Sequence, residues 1–313
     1  MQSEPPLVDL PLICLVGPTA SGKTDLAMEV VPSFDGEVVA ADSRQIYRGM
    51  NVGTSKPTQS QQEHVKHHMI DVADPFDDYS VVRYLRGALE AIEAIESRNK
   101  VPFLVGGTGH YVEALTRGLA PAPYTPDLRR ELERDLEQFG VDTLAERLQD
   151  LDPRGAQTTD LRNPRRVLRA LEVKLATGHS IRDEERPGRS ARHALVLGLD
   201  VPRSELIGRI QNRSAKMFEN GLLDETRRLW SSGYARESAA SRSIGYREVF
   251  EYLLGNSTLR TAREATVKAT SRYARRQMTW FRNRETVEWY SQGPDTTGQI
   301  SRRIDEFLTA RQS

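Results

Sequence analysis

The chain has 313 residues, 38% hydrophobic and 28% charged, with 44 basic side chains against 44 acidic ones. That length and mixture suit one large domain or two, and they exclude a disordered or fibrous chain. The zero net charge gives no sign of a polyanionic partner, so any such sign must come from how the charges are distributed.

The opening residues, MQSEPPLVDL, lack a basic start followed by an apolar stretch, so no signal peptide is expected. No segment approaches the ~20 apolar residues of a membrane helix. The single cysteine, Cys14, has no intrachain partner and suits a reducing compartment. A soluble, cytoplasmic protein without a membrane partner is expected, and a monomer.

Leu12 to Val16 (LICLV) form a short continuous apolar run, the pattern of a strand buried on both faces of a parallel sheet. A Gly-rich turn follows, and Thr24 to Val31 read as a helix. Glu37 to Ala41 read as a second strand that stops at Asp42. From Ser80 to Ser97 the apolar residues fall at helical spacing. Val101 to Val105 (VPFLV) make a third strand, running into Gly106-Gly107-Thr108-Gly109, and Tyr111 to Thr116 begin another helix. Strand, turn and helix recur in the order of an α/β parallel sheet flanked by helices, as in P-loop NTPases.

Near Ala120 the texture changes. Pro121, Pro123 and Pro126 break regular structure, and a charged, helix-favouring stretch runs to about Gly178. It reads as a small helical insertion domain over 121–193. Ala194 to Leu199 (ALVLGL) resume the sheet. The core domain is therefore expected over 8–120 and 194–313. From Glu205 onward the pattern reads as helical to the C-terminal tail. Thr258 to Arg284 carry eight basic residues against one acid, Glu264, a local excess able to attract phosphates.

Gly17-Pro18-Thr19-Ala20-Ser21-Gly22-Lys23-Thr24 fits G-x-x-x-x-G-K-[ST], between a buried strand and a helix. Backbone N–H groups of such a loop point at phosphate oxygens, and the helix N-terminus adds partial positive charge. Lys23 suits neutralisation of a diphosphate and the Thr24 hydroxyl suits Mg²⁺. A phosphorylated ligand follows. The loop alone leaves a kinase or NTPase open, and Asp42 at a strand end could serve as the metal-binding acid of such an enzyme.

Further segments narrow the choice: ADSRQIYRGMNVGTSKPT at 41–58, HHMIDVADPFDDYS at 67–80, VPFLVGGTGHY at 101–111, NPRRVLRALEV at 163–173, SIGYREV at 243–249 and RRQMTWFR at 275–282. With GPTASGKT at 17–24, they make the chain resemble the tRNA dimethylallyltransferase (isopentenyltransferase) family over nearly its whole length. The resemblance implies transfer of a dimethylallyl group from dimethylallyl diphosphate to N6 of adenosine-37 in tRNA, beside the anticodon, with release of pyrophosphate. It implies Asp42 as general base, with Ser43, Arg44 and Gln45 beside the tRNA and the target base. Thr108 would stand beside the diphosphate and the acceptor amine, and Arg213 would hold the diphosphate, with Arg209 in reserve one helical turn earlier.

Asn163, Pro164, Arg165, Arg166 and Arg169 match a tRNA-contacting segment. Arg275, Arg276 and Gln277 are expected on the tRNA as well, whereas Trp280 and Phe281 could stack on RNA or pack in the core. His67 and His68 have no second Cys or His cluster at ligand spacing and are expected to support the loop leading to Asp71. Two alternatives remain: a small-molecule kinase or NTPase on the same loop, and a prenyltransferase acting on free adenine nucleotides. The insertion at 121–193 argues against the second.

Overall fold

The computed structural model describes residues 11–77, 79–118, 125–185, 192–233, 241–284 and 286–310. Their contacts divide them into two compact units. One falls within Met1–Tyr79, Arg83–Val112 and Arg192–Ser313, and the other within Ser80–Val82 and Glu113–Ala191.

The first unit is built on a parallel sheet. Its elements begin with β1 (Leu12–Val16), α1 (Lys23–Val30), β2 (Gly36–Ala41), α2 (Gln59–His64), β3 (His67–His68), α3 (Val81–Glu96), β4 (Val101–Gly106) and α4 (Gly109–Thr116). The chain then contributes α5 (Pro126–Leu151), α6 (Pro153–Ala156) and α7 (Pro164–Thr177) to the second unit. It returns with β5 (Ala194–Asp200), α8 (Arg203–Glu219), α9 (Leu222–Ser231), α10 (Tyr246–Leu253), α11 (Leu259–Arg282), β6 (Val287–Ser291) and α12 (Thr296–Thr309). Strand order is β3-β2-β4-β1-β5-β6, and every pairing is parallel.

The register explains where a ligand can sit. Val16 lies opposite Gly106 on one side and Gly198 on the other, and Ala41 is also opposite Gly106. The carboxyl ends of β2, β4 and β1 therefore finish level, and the residues that follow them share one edge of the sheet, the usual ligand edge of such folds. Leu12 to Val16 are all buried, as a strand covered on both faces must be. Their side chains join α1 and α12 in a core that includes Ile13, Leu15, Val30, Leu197 and Ile304. On α3, Tyr84, Ala88, Ile92 and Ile95 are buried, and the Tyr84 hydroxyl donates to Ala40 O at 3.1 Å.

Two strands depart from the sequence reading. Val287–Ser291 was expected to continue a helix, yet it pairs with β5 from Val196↔Val287 to Asp200↔Ser291. As an edge strand it is only half-buried, so its charged and aromatic residues carry no continuous apolar signal. His67–His68 add a two-residue edge to β2, and His68 Nε2 lies 2.7 Å from the buried Glu37 carboxylate.

In the second unit α5 and α7 pack through Leu132, Leu144, Leu148, Val167, Leu168 and Leu171. Gly140, with φ of 79°, interrupts α5 so that two helical stretches meet there. Asn163 caps α7 by accepting from Arg165 N at 3.2 Å, Pro164 takes the first helical position, and Gly178 ends the helix in the left-handed region. Among the described residues, no helix is long and apolar enough to cross a membrane.

Candidate active site

The glycine-rich turn leaves β1 and closes as the N-terminus of α1. Gly22 caps that helix with φ of 86°, a conformation that disfavours any side chain, and a Cβ there would lie 2.8 Å from Gln292 Nε2. Lys23 Nζ donates to Pro18 O at 2.7 Å, keeping the ammonium beside the loop. Burial pushes the Lys23 ammonium down to about 7; the positive charge of Arg213 acts in the same sense, and the Asp42 carboxylate opposes both.

Asp42 follows β2. Its Oδ1 accepts from Arg44 N at 2.8 Å and from Gln45 N at 3.3 Å, so the carboxylate caps its own turn. Capping and chemistry are compatible here, because Asp42 also lines a cavity of about 1170 Å³ together with Lys23, Thr24, Gln45, Arg213 and Gln277. Lys23, Arg213 and the Asp42 carboxylate thus face a shared space beside a row of loop amides. Burial lowers the Arg213 pKa and the Asp42 charge opposes that. Arg213 Nη2 also donates to Thr54 O at 3.2 Å. Arg209 lines the cavity too, but it is tied to Glu205 at 2.5 Å and to Gln292.

Thr108 acts as a joint. Its backbone N–H donates to Ala41 O at 3.0 Å, and its Oγ1 accepts from Ser43 N at the same distance. The hydroxyl also bonds the Tyr273 phenol, whose pKa is raised by burial and by the Asp42 charge. Thr108 therefore links the Asp42 turn, the end of β4 and α11.

Gln277, expected on the RNA, lines the cavity with its amide bonded to the protein. It is buried, its Oε1 accepts from Thr19 N at 2.8 Å, and its Nε2 donates to Gly107 O at 2.8 Å. Both ends of the amide are spent on the phosphate loop and the β4 turn. A Cβ at Gly107 would lie 2.2 Å from Gln277 Nε2, which explains the glycine. Arg275 and Arg276 are exposed on the same helix. Phe281 is buried, while Trp280 sits edge-on to His110 at 4.3 Å and beneath Arg284 at 4.7 Å. In the second unit Arg165 and Arg166 are exposed on the first turn of α7, and Arg169 pairs with the buried Glu172 at 3.3 Å.

Several residues of this site escaped the sequence reading. Gln292 reaches the cavity from the end of the unforeseen strand β6. Lys56 bonds Tyr47 O at 2.8 Å and Asp71 at 2.5 Å, fixing the end of the HHMID segment that begins with β3. Tyr273 and Glu225 lie on helices that mix charged and apolar residues, where nothing in the sequence singles them out.

Among the described residues, no group of three or more His, Cys, Asp or Glu could hold a metal ion. A Mg²⁺ that draws most of its ligands from diphosphate oxygens and water needs no such cage, and the Thr24 hydroxyl in the cavity fits that mode.

A parallel sheet with a phosphate loop after β1, an acid after β2 on the far side of β4 and a shared cavity beyond both defines a P-loop-type phosphate-binding α/β protein. Residues 45–284 match the IPP transferase family and residues 10–74 the isopentenyl transferase family. The chain is 42% identical to a tRNA dimethylallyltransferase of Thermomicrobium roseum, an alignment spanning 95% of this chain and 92% of the other. A solved tRNA isopentenylpyrophosphate transferase from Bacillus halodurans is 37% identical, with a TM-score of 0.72 over 96% of this chain and 98% of that one. A eukaryotic dimethylallyltransferase, solved acting on tRNA, is 26% identical with a TM-score of 0.82, covering 96% of this chain and 80% of that one. The chain belongs to the IPP transferase family.

Proposed function

We propose that this protein transfers the dimethylallyl group of dimethylallyl diphosphate to N6 of adenosine-37 in tRNA, releasing pyrophosphate, and that it acts as a monomer in the cytoplasm. The observation that carries the reading is that Lys23, Arg213 and Asp42 line one and the same cavity. A kinase could use the same acid as a base or metal ligand; what favours N-prenylation is the match to the IPP transferase family and to the tRNA dimethylallyltransferases.

The amine of adenine is a poor nucleophile because its lone pair is delocalised into the ring. As N6 bonds to the allylic C1, the C1–O bond breaks and its electron pair leaves with pyrophosphate. The nitrogen becomes acidic in the same step, and the Asp42 carboxylate takes its proton, a role worth roughly 10²–10⁴-fold. The two backbone N–H groups on Oδ1 hold the carboxylate in place. Negative charge gathers on the leaving oxygen, and the loop amides, Lys23 and Arg213 stabilise it as a preorganised set. Mg²⁺, with Thr24 as its protein ligand, would supply further charge neutralisation on the diphosphate.

Adenosine-37 must leave its stack to reach the cavity, at a cost of a few kcal/mol that contacts elsewhere on the RNA offset. The exposed Arg275 and Arg276 of α11 suit phosphate contacts, as do Arg165 and Arg166 on α7 of the second, helical unit. Ser43, Arg44 and Gln45, next to the proposed base, suit contacts to the flipped nucleotide. The family's tRNA-acting members favour tRNA over free adenine nucleotides as the acceptor.

The test is incubation with radiolabelled dimethylallyl diphosphate, Mg²⁺ and unmodified tRNA, with ATP alone and AMP alone as controls. Label should enter tRNA at the adenosine beside the anticodon. Labelled AMP or hydrolysed ATP, with unlabelled tRNA, would refute the reading.

A further inference from the structure

The segment SIGYREV (243–249) matches the family, yet none of its residues enters the cavity. Its structural partner is a carboxylate on α9. Glu225 lies in the first turn of that helix and is 3% exposed. Its Oε2 accepts from Asn51 N and from Val52 N, both at 3.0 Å. Its Oε1 accepts from Gly53 N at 3.1 Å and from the Tyr246 hydroxyl at 2.6 Å. Three successive backbone amides converging on one anion form a nest, and here the anion is a side chain of the same protein. Four donors on one buried carboxylate are charge-assisted and directional, so they fix the segment that supplies them.

Gly53 completes the fit, since a Cβ there would lie 2.4 Å from the Tyr246 ring. The next residues carry the consequence. Thr54 Oγ1 donates to Met50 O at 2.7 Å and closes the turn. Thr54 O then accepts from Arg213 Nη2 at 3.2 Å and from Gln45 Nε2 at 3.4 Å, and Ser55 O accepts from Gln45 Nε2 at 3.3 Å.

We propose that Glu225, braced by Tyr246, is a positioning residue: it clamps residues 51–53 so that the carbonyls of Thr54 and Ser55 aim Arg213 and Gln45 into the cavity. The inference rests on the proposed role of Arg213 toward the diphosphate. A long arginine side chain anchored at a carbonyl loses little freedom when an anion binds, whereas an unanchored one must be ordered first.

The experiment measures inorganic pyrophosphate binding by calorimetry in the parent, Glu225→Gln, Arg213→Ala and the double variant. Glutamine keeps the shape but turns one acceptor into a donor facing amide N–H groups, so the nest opens. Glu225→Gln should weaken pyrophosphate about tenfold in the parent background and less than twofold in the Arg213→Ala background, because the side chain it positions is gone. Equal losses in both backgrounds would mean a merely structural role and overturn the proposal. So would unchanged affinity in the parent background.

Should Glu225→Gln fail to fold, Tyr246→Phe decides the matter, since it removes one donor and leaves the three amides in place. It should weaken pyrophosphate about threefold, with the loss again absent beside Arg213→Ala. Unchanged affinity, or the same loss in both backgrounds, would overturn the proposal. The readout needs neither tRNA nor prenyl transfer, so a chain that failed to modify tRNA yet showed this coupling would refute the function and keep the clamp.

Discussion

Replacing Gln277 with methionine removes one side chain and breaks two connections, and their sizes can be worked out separately. Methionine fills nearly the same volume with an unbranched, adaptable chain, so the packing loss is small. The bond to Gly107 O is buried, and that carbonyl would be left without its donor, at about 1–3 kcal/mol. The bond from Thr19 N is only partly buried, and water can replace the lost acceptor, so this term is nearer ~0.5–1 kcal/mol. The expected loss is therefore roughly 1.5–4 kcal/mol, a large share of the ~5–15 kcal/mol that holds a domain folded. Urea unfolding followed by circular dichroism measures it, as a fall in midpoint at constant slope. A loss below ~0.5 kcal/mol, the range of an ordinary surface change, would show that Gln277 does not tie α11 to the phosphate loop and the β4 turn.

Gly107→Ala attacks the same joint from the other side, because its Cβ would meet Gln277 Nε2 at 2.2 Å and Gly17 O at 3.0 Å. A loss of roughly 1–3 kcal/mol is expected in the same unfolding assay. Lys23 makes stability depend on pH. Its folded pKa of about 7 lies below the ordinary 10.5, so between those values the unfolded chain binds more protons and stability rises with pH. Urea midpoints at pH 7 and pH 9 should show a rise that is smaller in Lys23→Met; an equal rise in both would exclude Lys23 as its source. Replacing Arg275 and Arg276 together with alanine should weaken tRNA binding and reduce the slope of log K against log salt by roughly 1–2. An unchanged slope in filter binding would remove these arginines from the RNA contacts.

The parallel sheet was legible because β1, β2, β4 and β5 are apolar runs, buried on both faces, that need no alternation to be recognised. The phosphate loop was legible because its spacing is fixed by the geometry of amides around an anion. β6 was not, since an edge strand pairs along one side only and tolerates Glu288 and Tyr290 among its residues. The inward turn of Gln277 was hidden for a related reason. Its neighbours in sequence, Arg275 and Arg276, are exposed, and helical geometry turns the next residue inward without leaving an apolar mark. Glu225 was invisible in the sequence LLDETRRLW, where the acids look alike. Only the fold, by bringing residues 51–53 against it across more than 170 positions of chain, separates it from Asp224, which pairs at the surface with Arg227.

The most direct measurement of the central claim compares Asp42→Ala with the parent for both donor binding and transfer. Calorimetry with dimethylallyl diphosphate should give affinities within a few-fold of each other, while single-turnover transfer to unmodified tRNA falls by roughly 10²-fold or more. Loss of donor binding in the variant, or transfer at the parent's rate, would contradict a carboxylate that takes the proton from N6.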